Sequence, residues 1–172
     1  MRVETDRCII RNFDEADINE AHQYLSNPKT MYFIEDPYTP EQTRDFIHDC
    51  GMCEDEDPMV YALVLKDSNK VIGHVIFHEY DYESIYEIGI IIDTPYQKQG
   101  IGYEVLSALI KYAFGSMDIH KIVAETIEGN DACVKLLEKL SLVREATLRK
   151  QNWDHENWVD EYHYGLLREE VI

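Results

Sequence analysis

Gln97, Gly100 and Gly102 stand at Q-x-x-G-x-G spacing in the stretch "TPYQKQGIGYEVLSALIKYAF". Beyond Tyr103, residues Leu106, Leu109, Ile110, Ala113 and Phe114 recur at helical intervals, so the glycines fall where the chain turns into a helix N-terminus. Free backbone N–H groups and the positive end of the helix dipole attract an anion there, and a residue without Cβ lets the anion reach the main chain. A pyrophosphate fits such a loop without a basic side chain. A bare G-x-G serves as readily as a plain turn, so the surrounding elements decide between the two. A dinucleotide fingerprint needs a third glycine where Val105 stands, and a P-loop needs Gly-Lys-Ser/Thr after a longer gap; neither is present.

The elements that must position this loop read as a continuous series without repeats or linkers. "RCIIRNF" is strand-like. Asp14 caps a helix carrying Ile18, Ala21, His22 and Leu25 on one face, which Asn27 and Pro28 end. "TPEQ" opens a second helix, with Thr39 as N-cap, Pro40 at the first helical position and Gln42 completing a capping box. "MVYALVL" and "KVIGHVIFHEY" form a hairpin around "KDSN", and the nearly continuous apolar run "IYEIGIIID" belongs in the middle of a sheet. After the glycine loop and its helix come the strand "KIVAETI", a helix capped by Asn130, and two closing strands around "DHEN". The order β-α-α-β-β-β-α-β-α-β-β predicts an α/β fold with a mixed, largely antiparallel central sheet flanked by helices, and residues 1–172 as one domain.

Composition narrows the partners. Asp and Glu total 34 against 16 Lys and Arg, for a formal charge of -18, which repels nucleic acid and anionic membranes alike. A small or basic partner suits that surface; simple solubility explains it equally well. "MRVETDRC" has no apolar signal core and later apolar runs are too short to span a bilayer, so a cytoplasmic location is expected. Cys50 and Cys53 form the one C-x-x-C, and no second pair completes a zinc set. Read as a helix, "DFIHDCGMC" puts Phe46, Cys50 and Cys53 on one apolar face, so packing and no metal is expected.

Q-x-x-G-x-G between an apolar strand and an amphipathic helix resembles the acyl-CoA-binding motif of the GCN5-related N-acetyltransferases. "IHKIVAETIEGNDACVKLLEKLSLVREATLR" and the terminal strands are similar to the branch that acetylates ribosomal-protein N-termini, and the resemblance covers nearly the whole chain. It implies that Gln97, Lys98, Gln99, Gly100, Ile101, Gly102 and Tyr103 hold the pyrophosphate of acetyl-CoA. Main-chain groups of Ile90, Ile91 and Ile92 would align the pantetheine arm. Asn130, matching the asparagine of the family's "N-x-A-S", would contact the cofactor beside the thioester while also capping its helix. The family also implies frequent homodimers. Cys133 replaces that motif's serine, Leu137 stands where many relatives carry tyrosine, and Ser141 replaces the glycine of "K-L-G-F".

The implied reaction is direct attack of an amine on the thioester, without a covalent enzyme intermediate. An alkylamine with a pKa near 10 must first lose a proton, and Glu87 is the expected base, acting through water, with His78 as the second candidate for that role. A solvent-facing carboxylate and an ordinary strand histidine are the alternative readings of those two residues. Main-chain N–H near Ile90 would meet the oxyanion. Cys133 is expected to protonate the departing sulfur, its thiol pKa lowered by the helix N-terminus; a small apolar residue packing that turn is the other reading. Ser141 should sit at φ > 0 beyond the helix. A non-catalytic acetyl-CoA sensor or assembly subunit is the alternative function. The acceptor amine, peptide N-terminus or small cation, is left open, its pocket expected from the first two helices and the hairpin loops.

Overall fold

The computed structural model describes residues 1–53 and 58–171. Eight strands form one sheet: β1 (Arg2–Glu4), β2 (Cys8–Arg11), β3 (Val60–Leu65), β4 (Val71–Glu79), β5 (Ile85–Ile92), β6 (Lys121–Ile127), β7 (Val143–Trp153) and β8 (Trp158–Leu167). Their spatial order is β1-β2-β3-β4-β5-β6-β8-β7. Every neighbouring pair is antiparallel except β5 and β6, the two strands joined by a helical crossover, as a parallel pair requires. The mixed, largely antiparallel sheet read from the sequence is the one observed.

Helices cover both faces. On one lie α1 (Ile18–Leu25), the single turn α2 (Pro28–Met31) and α3 (Pro40–Phe46), burying Ala21, Tyr24, Leu25 and Met31 against Val60, Ala62 and Ile91. His22 Nδ1 meets Thr43 Oγ1 at 2.9 Å and ties α1 to α3. On the other face, α4 (Ile101–Ser116) and α5 (Asp131–Lys139) bury Val105, Leu106, Leu109, Ala113 and Leu137 against Val75, Ile88, Ile122 and Tyr164. Each of the larger of these side chains contributes about 2 kcal/mol through burial, so the row on α4 fixes that helix firmly to the sheet.

Local signals held where chemistry is local. Thr39 Oγ1 accepts from Gln42 N–H at 3.2 Å and Gln42 Oε1 accepts from Thr39 N–H at 2.8 Å, the capping box read from "TPEQ". In "DHEN", Asp154 Oδ1 accepts from the amides of Glu156 and Asn157. Ser141 has φ of 69°, and Leu142 N–H closes back on Leu137 C=O at 3.0 Å, so serine does occupy the left-handed position after α5.

Four details differ. The edge strand β1 gives no pattern over three residues and was not foreseen. Asn27 and Pro28 begin α2 as well as ending α1: Asn27 Oδ1 caps Lys29 N–H, and Pro28 loses nothing at the first helical position. α4 starts at Ile101, not Tyr103, with Gly100 as its N-cap at φ 79°. Finally, α3 passes into a π-helical segment, Ile47–Gly51, which changes the residue spacing, so Cys53 lies beyond the helix and does not share the face of Phe46 and Cys50. Both cysteines are free thiols; that of Cys53 donates to Asp49 C=O.

Candidate active site

The site sits where the sheet parts. β5 and β6 pair at Ile85↔Lys121, Tyr86↔Ile122 and Glu87↔Val123, and no further rung joins them among the described residues. Ile88–Ile92 stays paired to β4, while Ala124–Ile127 stays paired to β8, so a cleft opens toward the C-terminal ends of both strands. Ile90 and Ile92 pack toward the α4/α5 layer and Ile91 toward the α1/α3 layer. The glycine loop closes the mouth of this cleft.

Within the loop Lys98 has φ of 60° and Gly100 φ of 79°, two left-handed residues that turn the chain sharply into α4. Gln97 Nε2 donates to Ile92 C=O at 2.8 Å and Gln99 Nε2 to Pro95 C=O at 2.9 Å, so these side chains build the loop from within. No side chain caps α4, and its first internal bond is Glu104 N–H to Gly100 C=O; the amides of Ile101, Gly102 and Tyr103 form the helix's positive end. That is the arrangement an anion needs. Gly102 has a second reason to be glycine: a Cβ there would lie 3.2 Å from Leu136 and 3.7 Å from Ile92. It lets α5 close on α4 as much as it lets an anion approach.

A basic side chain does stand beside the loop, one the sequence reading missed. Arg7, before β2, donates to Gln99 C=O at 2.9 Å and pairs with Glu104 at 2.6 Å, and its Nη2 lies 3.7 Å from where a Gly100 Cβ would project. Separation of 92 residues from the contact it makes left no local signal.

Asn130 caps α5, its Oδ1 accepting from Cys133 N–H at 3.3 Å. The Cys133 side chain packs on the α4/α5 core. Here the expectation of an acidified thiol fails: burial pushes its pKa up, opposed only in part by the Thr126 hydroxyl. The helix dipole loses to desolvation because the sulfur is turned inward. Thr126 itself is buried, and among the described residues its Oγ1 is the one buried side-chain polar atom without a hydrogen-bond partner of good geometry.

On the opposite face of the sheet, Glu87 and His78 are cross-strand partners with Oε2 and Nε2 3.2 Å apart. Glu87, the hydrogen-bond acceptor, raises the His78 pKa, with help from the Glu79 carbonyl and against burial. Further along that face come Glu125 and His163, also cross-strand partners, and Glu161; their donor atoms lie within 4.8 Å of one another, close enough to hold a cation. His163 Nε2 reaches Glu161 at 2.7 Å. Tyr80 OH donates to Glu125 at 2.8 Å, and that bond pushes its pKa up to about 12. A pocket of about 250 Å³ is lined here by Tyr80, Tyr82, Lys121, Glu125, Glu145 and His163. The sequence reading singled out Glu87 and His78 but not Glu125, Glu161 or His163. Period-two spacing of Glu161 and His163 on one strand was the available hint.

Beyond Asn130, the loop after α2 meets the β7–β8 hairpin: His155 Nε2 contacts Tyr32 C=O at 3.0 Å, and Phe33 lies 3.8 Å from the position of a Cβ on Gly129. Tyr32, Phe33 and Ile34 are exposed there. No helix among the described residues is long and apolar enough to cross a membrane.

Residues 7–143 match the family model described as an acetyltransferase (GNAT) domain. The chain is 30% identical over 171 residues, 99% of each protein, to the uncharacterized N-acetyltransferase YnaD of Bacillus subtilis (strain 168). Among solved structures it resembles a GNAT-family acetyltransferase from Bacillus anthracis, with TM-score 0.90, 32% identity, and coverage of 99% of this chain and 100% of that one. The fold also resembles RimL, a ribosomal-protein acetyltransferase, at TM-score 0.85 and 18% identity, covering 99% of both chains; that structure holds coenzyme A in a disulfide with a cysteine. A spermidine N-acetyltransferase from Vibrio cholerae, in complex with CoA and spermine, matches at TM-score 0.76 and 23% identity over 95% of this chain and 96% of that one. At those identities the ribosomal-protein and spermidine enzymes share the fold.

Proposed function

Because the chain belongs to the GNAT acetyltransferase family, and is an acyltransferase, we propose that it moves the acetyl group of acetyl-CoA to a cationic primary amine in a ternary complex. The observation that carries this reading is the uncapped N-terminus of α4, headed by left-handed Gly100 and set at the mouth of the β5–β6 cleft. Main-chain amides from Gln97 to Tyr103, with Arg7 beside them, take the pyrophosphate. The cleft takes the pantetheine arm along Ile90–Ile92, and Asn130 meets it near the thioester. Acetyl-CoA supplies the activated carbonyl, as the CoA-bound structural neighbours suggest.

The acceptor comes from the opposite face. Its ammonium is attracted by Glu87, Glu125 and Glu161 and by the overall charge of -18. Glu87 takes the amine proton through water, and His78 orients its carboxylate. Nucleophilic attack forms the C–N bond, N–H near Ile90 stabilises the oxyanion, and the C–S bond breaks. Cys133, held as a neutral thiol by burial, donates to the leaving sulfur; a thiol so raised is a weak acid, so this step contributes modestly. Polyamine-like and basic peptide amines both satisfy the acidic face, and the spermine-bound neighbour favours the first.

A panel of polyamines, peptide N-termini, aminoglycosides and amino acids, assayed with acetyl-CoA by release of free thiol, tests the proposal. Turnover is expected with cationic amines and falls as salt rises. Tight acetyl-CoA binding with no thiol release across the panel would instead establish a sensor.

A further inference from the structure

Resting on the reading of the glycine loop as the cofactor's seat, we propose that Asp93 and Thr30 are positioning residues. They couple that loop to residues 32–34, so that bound coenzyme A also sets a wall against which the acceptor lies. Asp93 directly follows β5 and is 9% exposed. Among the described residues no cation pairs with it. Its Oδ1 accepts instead from neutral groups of the α1–α2 connection, Asn27 Nδ2 at 3.3 Å and Thr30 Oγ1 at 3.1 Å. Thr30, also buried, accepts from Thr94 N–H at 3.2 Å and lies 2.9 Å from the Thr94 hydroxyl, while Tyr96 N–H closes on Asp93 C=O at 2.8 Å. One node thus holds both the turn Thr94–Tyr96, which leads into Gln97, and α2, which leads into Tyr32.

Residues 32–34 stand on the side of the sheet that carries Glu87. Met31, just before them, shares a hydrophobic cluster with Ile91, and Ile91 faces the same way as Glu87 by the two-residue period of β5. Tyr32, Phe33 and Ile34 are exposed, with Phe33 against Gly129 and so next to Asn130. Burying a carboxylate without a cation is unfavourable, and an apolar residue would end the strand without that penalty. What the carboxylate adds is direction: charge-assisted bonds from two residues fix α2 relative to the loop that the cofactor grips. An anion that orders the glycine loop therefore removes freedom from residues 32–34 as well, and by reciprocity an acceptor resting on them tightens cofactor binding.

Amide hydrogen exchange of the full-length protein, with and without saturating coenzyme A, tests this without needing the acceptor. In the parent, coenzyme A is expected to slow exchange in the peptide spanning residues 28–36 as well as in that spanning 97–104. Thr30→Val, which nearly keeps the shape and removes the hydroxyl, should lose the first response and keep the second; Thr30→Ser should restore the first. Asp93→Asn, which keeps an acceptor oxygen but not the charge, should give an intermediate response. Melting curves establish that each variant folds, and the two positions report independently. With spermine as acceptor, Thr30→Val should raise the KM for the amine roughly fivefold or more, while kcat and the KM for acetyl-CoA stay within about twofold. A rise of equal size in the acetyl-CoA KM would return the node to a purely structural role. Slowing at 28–36 that survives undiminished in both Thr30→Val and Asp93→Asn, or that is missing in a parent whose 97–104 peptide responds, overturns the coupling and leaves the cofactor reading standing. No response at 97–104 in the parent removes the cofactor reading, and the coupling with it.

Discussion

The two sides of the β5–β6 cleft present different kinds of chemical group. On the α4 side the proposed binding groups are main-chain amides, and the side chains of Gln97 and Gln99 hold the loop. On the other side the groups proposed to work on the acceptor are side chains drawn one or two at a time from β4, β5, β6 and β8: His78, Glu87, Glu125, Glu161 and His163. A main-chain site is written in consecutive residues and demands glycine at particular φ values. A side-chain site is assembled by register, and single substitutions can retune it without touching the backbone. The first suits a cofactor that never changes, and the second suits an acceptor that varies.

Substitutions should separate the two sides, the largest effect coming from the main-chain side. Gly100→Glu with Gly102→Glu is expected to weaken acetyl-CoA binding at least roughly a hundredfold, through charge placed at the anion site. Because Gly100 is left-handed and Gly102 faces Leu136, some loss of melting temperature accompanies it, and calorimetric titration of the folded variant isolates the binding term. Unchanged affinity there would move the pyrophosphate elsewhere.

Glu87→Gln should lower kcat by roughly a hundredfold while leaving acetyl-CoA affinity within about twofold, since general-base assistance contributes on that scale. Equal losses in both would assign Glu87 to structure. Smaller again, Cys133→Ala should cut kcat a few-fold and affinity less, while Cys133→Ser retains most of the rate; equal kcat for alanine and parent, with chemistry rate-limiting, would leave Cys133 to packing.

The His78–Glu87 pair gives a pH-dependent test. His78 has a folded pKa raised above its unfolded value, so its stabilising contribution is complete below about pH 6.5 and fades as pH climbs through the folded value. The melting-temperature gap between the parent and His78→Gln should therefore be widest in mild acid and narrow toward pH 8. A gap that widens with pH would contradict the pairing. Smallest of all is Ser141→Gly, which relieves a left-handed serine and should raise stability by about 1 kcal/mol, a few degrees in melting temperature, without changing kinetics.

The same division explains what could be read from residue order. The capping box of Thr39, the turn at "DHEN", the glycine loop and the left-handed Ser141 each depend on neighbours within five residues, and all were legible. Arg7 at Gln99, and Glu125 opposite His163, depend on strand order and register, which no local pattern encodes. The Cys133 thiol was misjudged in direction because a helix N-terminus is visible in sequence whereas the burial that outweighs it is not.

Among the described residues, β5 and β6 share three rungs. The sheet is thus nearly two sheets, β1 to β5 and β6 to β7, and the buried row of α4 shares one hydrophobic cluster with Val75 and Ile88 of one part and Ile122 of the other. Such a seam is where a protein opens sub-globally, short of unfolding, and amide hydrogen exchange should detect the two parts as separate cooperative units. A molecule lying along the seam bonds to both parts at once and merges them into one unit, so saturating acetyl-CoA should slow exchange far from its own contacts, out to β7 at the sheet's edge.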